Sequence, residues 1–146
     1  MRKKWLGWKA TMLMFLVFSV VGLVGILPVE AVRPERWVII MYDDKGDPWM
    51  IEHNKSFMAR MSEDGPVYAC LQTKIYNTPE NEIYESRTWV NTRDYSYRVE
   101  WLMTWRDGQI IDEGSGTADF KAPLPEGSNA STFYKRSVSY VRVNHL

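Results

Sequence analysis

The stretch from Tyr95 to Arg106 restricts the fold more than any other part of the chain. Its odd positions are Tyr95, Tyr97, Val99, Trp101, Met103 and Trp105, and its even positions are Ser96, Arg98, Glu100, Leu102, Thr104 and Arg106. All six odd residues are apolar or aromatic, against one of the six even ones. A period of two belongs to a strand, because successive side chains leave the pleat on opposite sides. With one face expected buried and the other wet, the segment reads as a long antiparallel strand. Asp107-Gly108 then turns the chain, and Gln109 to Asp112 pairs back.

Other segments repeat the pattern. In Val67 to Tyr76, the residues Val67, Ala69, Leu71, Thr73 and Ile75 share one face, expected toward a core, while Tyr68, Cys70, Gln72, Lys74 and Tyr76 share the other. Arg36–Tyr42 and Trp49–His53 flank the turn residues Asp43-Asp44-Lys45-Gly46-Asp47-Pro48 and form a hairpin. Phe57–Met61 is expected as a short strand, and Tyr84–Asn91 as another. Gly114–Gly127 reads as loop. After it, Ser128 or Asn129 can cap a helix, with Ala130, Phe133, Tyr134, Ser137, Val138 and Val141 at helical spacing. A final strand over Val138–Val143 is the competing reading. The expected fold is α+β: an antiparallel β-sheet of about six strands with a C-terminal helix packed on one face, preceded by an N-terminal hydrophobic helix.

That N-terminal segment sets the compartment. Arg2, Lys3, Lys4 and Lys9 precede an uncharged run of 18 residues from Ala10 to Leu27, and no acidic residue appears before Glu30. Pro28 and then Val29-Glu30-Ala31 follow. A basic start, an apolar stretch, a helix breaker and small residues at a cleavage position are the parts of a secretory signal. Residues 1–31 are expected as that signal, cut after Ala31, with an uncleaved membrane anchor as the alternative. Under both readings residues 32–146 form a single exported domain, at the cell surface, in the periplasm or outside the cell.

Residues 32–146 carry 14 basic and 17 acidic residues, a net charge of −3. Such a surface gives no electrostatic case for nucleic acid. Cys70 is the one cysteine, so no internal disulfide can form, and a small hydrophobe in a strand is the expectation. Chemistry is sparse. The two histidines, His53 and His145, are far apart in sequence, and His53 is expected as a strand-end surface residue. Asp43, Asp44 and Asp47 read as turn formers, since their spacing does not match a calcium loop. No Gly-rich phosphate loop and no Gly-x-Ser-x-Gly elbow are present. The expectation is therefore a domain with no catalytic, metal or cofactor residues.

Binding is a different matter. Trp89 lies beside Glu85, Arg87 and Asn91, opposite in parity to Ser86, Thr88 and Val90. Facing water, it would anchor a partner, because interface hot spots are rich in Trp, Tyr and Arg; a Trp covered by the helix or a loop is the alternative. Tyr68 and Tyr76, on the Gln72/Lys74 side, raise the same question.

The order of these features resembles the surface-adhesin protein E-like domains. The likeness runs through Arg36-Trp37, Asp43-Asp44, a short strand ending in Glu52 with Ser56 soon after, Glu85-Ser86-Arg87-Thr88-Trp89, the Trp101–Gly108 hairpin, and Pro125-Glu126-Gly127-Ser128. It covers most of residues 36–142 and implies an exported antiparallel sheet with a C-terminal helix, found on bacterial surfaces, some members binding host matrix proteins. The chain departs from that group in having no lipid-anchor cysteine near the cut and in lacking a second cysteine to tether helix to sheet.

Three functions follow in order of preference. The first is a non-enzymatic, adhesin-like module that binds an extracellular or envelope protein. The second is a carrier or sensor holding a small apolar ligand between helix and sheet, in a cavity of roughly 300 Å³ or more. The third is an enzyme. Membrane contact is expected only through an uncleaved N-terminus. N-terminal sequencing of the exported product should begin at Val32; full-length chain recovered only from membranes would overturn the cut.

Overall fold

The longest strand pair sits at the centre. The computed structural model describes residues 34–116 and 118–145. The hydrophobic run at 10–27 and the cut after Ala31 lie outside the described residues. Among those described, seven strands form one antiparallel sheet: β1 (Trp37–Tyr42), β2 (Pro48–Glu52), β3 (Phe57–Arg60), β4 (Val67–Asn77), β5 (Glu82–Asn91), β6 (Tyr97–Arg106) and β7 (Gln109–Ser115). Their order is β1-β2-β4-β5-β6-β7, with β3 paired to the first part of β4. A single α-helix, α1 (Asn129–Asn144), ends the described chain, so the helical reading of this segment holds over the strand alternative.

The alternation in β4 does what its sequence implies. Ala69, Leu71 and Thr73 are buried, facing Val90, Thr88 and Ser86 of β5. Ile51 of β2 lies across from Thr73. Onto these residues packs α1, through Phe133, Ser137, Val138 and Val141, whose spacing puts them on one stripe. Trp49 meets Phe133 edge to face at 5.4 Å, and Tyr97 meets Tyr134 at 5.7 Å. Burial pushes the Tyr134 phenol up to about 12.

The start of α1 is locally encoded. Gly127 takes a positive φ of 84°, and the Ser128 hydroxyl then accepts the N–H of Ser131 at 3.2 Å while donating to the Pro125 carbonyl at 2.7 Å. A side-chain oxygen here satisfies one of the free donors of the first turn.

The 95–106 alternation is not one face, which corrects the sequence reading. Tyr95 lies before the strand at φ 59°. Val99 pairs with Thr88, but Trp101 pairs with Arg87, which leaves Glu100 as an extra residue. Cross-strand partners share a face. Tyr97 and Val99 therefore lie on the α1 side, whereas Trp101, Met103 and Trp105 lie on the opposite one. One inserted residue reverses every side chain beyond it. Leu102 moves to the α1 side and stays 41% exposed.

Gly116 follows from this bulge. Its N–H donates to the Glu100 carbonyl at 2.8 Å, and a Cβ placed on it would overlap the Val99 carbonyl. Two stability changes are expected. Phe133→Ala should lower the unfolding free energy by about 3–5 kcal/mol, as a large side chain leaves a full core. Gly116→Ala should lower it by about 1–3 kcal/mol through overpacking on backbone. Urea unfolding of each variant checks both.

Candidate functional site

The sheet face turned away from α1, called the far face below, collects all three sequence candidates. Tyr68, Tyr76 and Trp89 each lie on it, half-buried. They do not converge. Tyr68 and Tyr76 stand eight residues apart on β4, which is about 26 Å at roughly 3.3 Å per residue.

At one end, Trp89 lies across from Cys70 and meets Phe57 of β3 edge to face at 5.9 Å. Its indole N–H donates to Glu100 at 3.0 Å, so the bulge residue holds the ring. Tyr68 stacks on Phe120 at 5.0 Å, and the Arg98 guanidinium lies 5.8 Å from the same ring. Cys70 beneath is fully buried, and that burial pushes its thiol up to about 11. A thiol held protonated is a poor nucleophile, as the lone-hydrophobe reading of Cys70 implies.

The middle of the face is ionic. Lys74 pairs with Glu85 at 3.4 Å and lies 4.2 Å from the Trp37 ring. Arg87 approaches Glu100 at 4.0 Å, while its Nε finds no hydrogen-bond partner. Glu52, across from Trp37, is fully buried; one carboxylate oxygen accepts the Arg36 N–H at 2.7 Å and the other has no partner.

At the other end, Tyr76, Ile83 and Trp105 form one cross-strand row over β4, β5 and β6. They line a groove of about 390 Å³ whose rim carries Glu82, Glu85 and Asp107. Tyr84 donates to Glu82 at 2.6 Å, and Arg106 pairs with the same carboxylate. These two bonds, Tyr84 first, hold Glu82 below the usual carboxylate range, and the bond to Glu82 raises the Tyr84 phenol. Sequence reasoning named Tyr76 but missed Ile83 and Trp105. Trp105 was assigned to the core face because the bulge at Glu100 is silent in an unbroken alternation.

The aspartates of the first hairpin act as turn formers. Asp43 accepts from the N–H of Lys45 at 2.9 Å, of Asp47 at 3.0 Å, and from the Trp49 indole at 3.2 Å. Asp47 does more than the sequence implies: it is buried and binds Thr78, tying the β1–β2 turn to the β4–β5 turn. Among the described residues no group of three His, Cys, Asp or Glu side chains is placed to share a metal ion.

His53 is not a free surface residue, contrary to the expectation. Its Nδ1 shares a hydrogen bond of 2.8 Å with the Tyr140 hydroxyl, and its ring lies 4.6 Å from that of His145. The end of α1 is thus clasped to the end of β2, and His145 caps the helix with its N–H on the Val141 carbonyl.

No family model, curated protein or solved structure matches this chain.

The clasp gives a pH dependence. Burial first, then the neighbouring His145 and Arg36, lower the His53 pKa against an upward pull from Glu52. Above the unfolded value of about 6.5, neither state binds the proton and stability is full. As pH falls below it, the unfolded chain takes up the proton first, so stability drops until the lower folded pKa is passed. His53→Gln, which keeps an acceptor for Tyr140, should flatten this loss. Urea midpoints at pH 7.5 and 5.0 read it; an equal drop in both proteins counts against the clasp.

Proposed function

We propose that this chain is an exported, non-enzymatic binding module, and that its far face engages a protein of the cell envelope or of the surroundings. The observation that carries the reading is the composition of that face. Trp37, Trp89, Trp101, Trp105, Tyr68 and Tyr76 stand on it, all half-buried, while α1 packs on the opposite side. Large rings with a polar atom and limited side-chain freedom supply much contact area at small entropic cost, which is why they dominate interface hot spots.

Two sequence features support the rest. The N-terminal signal pattern argues for export, and the likeness to surface-adhesin protein E-like domains argues for adhesion rather than catalysis. The space between α1 and the sheet is filled by Ile51, Leu71, Phe133, Val138 and Val141, each fully buried, and the 390 Å³ groove lies on the other face. This arrangement favours a macromolecule over a small ligand enclosed beneath the helix.

Immobilised exported product should retain a protein from envelope or host-matrix extracts. The double variant Tyr68→Ala/Trp89→Ala should reduce that retention by about tenfold or more, since hot-spot truncations cost ~2 kcal/mol or above. Circular dichroism checks that the variant is folded. Retention of no protein, or retention indifferent to the substitutions, would sink the reading.

A further inference from the structure

We infer that the groove at the Tyr76–Ile83–Trp105 end of the far face is a subsite for a cationic side chain, an ammonium or guanidinium, presented by a basic segment of a partner protein. This rests on the reading of the far face as a binding face and names the chemistry of one part of it.

The groove is built by registration across three strands. Tyr76 pairs with Ile83, and Ile83 pairs with Trp105. Ile83 is therefore the floor, and the two aromatic residues are walls rooted two strand spacings apart, about 9.5 Å. Its rim is made by two tight turns with left-handed residues, Asn81 at φ 54° and Asp107 at φ 52°. The Asn81 amide donates to the Asp107 carboxylate, which laces one turn to the other. The walls belong to the central strands of the sheet and the rim is cross-tied, so the groove is formed before any ligand arrives.

Charge selects the occupant. Three carboxylates line the groove and no Lys, Arg or His does. Glu82 is matched by Arg106 and Glu85 by Lys74, both from outside the lining. Asp107 is bonded to a neutral amide alone among the polar contacts of this rim. Among the described residues no cation pairs with Asp107, so the site carries an unmatched negative charge beside two aromatic rings. A cation between the rings meets that charge and the negative faces of the π systems together. A neutral guest would leave Asp107 unmatched, and an anion would be repelled. The exported part is also acidic overall, at −3, which favours approach of a basic partner.

The test titrates full-length protein with acetyl-Gly-Lys-Gly-amide while following the Trp105 indole N–H by NMR. Acetyl-Gly-Gln-Gly-amide and N-acetylglucosamine serve as neutral probes of peptide and sugar. The lysine peptide alone should give a saturable shift, weakened about tenfold in Asp107→Asn and similarly by about 0.5 M salt. Asparagine tolerates the left-handed turn at 107 and keeps an acceptor for Asn81, so that variant should fold. Tyr76→Leu, which keeps the apolar wall and removes the ring, should weaken the peptide as well. No shift, an equal shift with the glutamine peptide, or a stronger response to the sugar overturns the inference. Retention of a partner by the Tyr68/Trp89 end, with Trp105 silent to the lysine peptide, would sink the cation subsite and leave the binding module standing.

Discussion

The β4–β5 ladder is the constraint on which the rest of this domain depends. Its ten pairs run without interruption from Tyr68↔Asn91 to Asn77↔Glu82. Each pair assigns two side chains to one face. Ala69, Leu71 and Thr73 with Val90, Thr88 and Ser86 make the floor on which α1 rests. Tyr68, Cys70, Lys74 and Tyr76 with Asn91, Trp89, Glu85 and Ile83 make the far face. A slip of β4 by one residue would turn its own set over and put Lys74 under the helix in place of Leu71 and Thr73. The buried hydroxyl bridge from Thr73 to Ser86 at 2.6 Å, continued to Thr88 at 3.1 Å, opposes such a slip, because those groups would lose their partners.

The bulge at Glu100 converts a core-forming strand into a two-sided one. Before it, β6 supplies Tyr97 and Val99 to the helix side; after it, Trp101 and Trp105 go to the far face. Glu100 itself is used: its carboxylate takes the Trp89 indole N–H and approaches Arg87, and its carbonyl takes the Gly116 N–H. The extra residue is thus the joint between the aromatic end at Trp89 and the departure of the chain from β7. Neither the groove at Trp105 nor the fixed ring of Trp89 would exist with a regular ladder.

This explains which parts of the protein were legible in its sequence. The faces of β4, the capping of α1 by Ser128, and the Phe133–Val141 stripe depend on residues close together in the chain, and their periods announce them. Tyr68, Tyr76 and Trp89 share a face that parity alone announces, because the β4–β5 ladder has no bulge. Trp105 was misplaced because parity counts residues, and a bulge adds one that no local chemistry marks. The groove was invisible for a related reason, since Tyr76, Ile83 and Trp105 meet only through two registers. The His53 clasp was missed because its partners, Tyr140 and His145, sit at the other end of the domain.

The arrangement of charge on the far face follows from the same geometry. A sheet face bearing this many aromatic residues would associate with itself unless something opposed it. Lys74, Glu85, Arg87 and Glu100 occupy its middle rows, in pairs of opposite sign. Trp101 and Met103 share those rows with Arg87 and Glu85, and Lys74 lies over the Trp37 ring, so the charges interrupt the apolar surface from within. The edge strand β7 is managed likewise: its residues are all exposed, and Asp112 and Glu113 place charge where another strand would add. The rings at the Trp89 end are braced by neighbours, Trp89 by Phe57 and Glu100, and Tyr68 by Phe120. On the proposed reading of this face as a binding face, charges set among rings would select a partner by the spacing of its apolar and charged groups rather than by hydrophobicity alone.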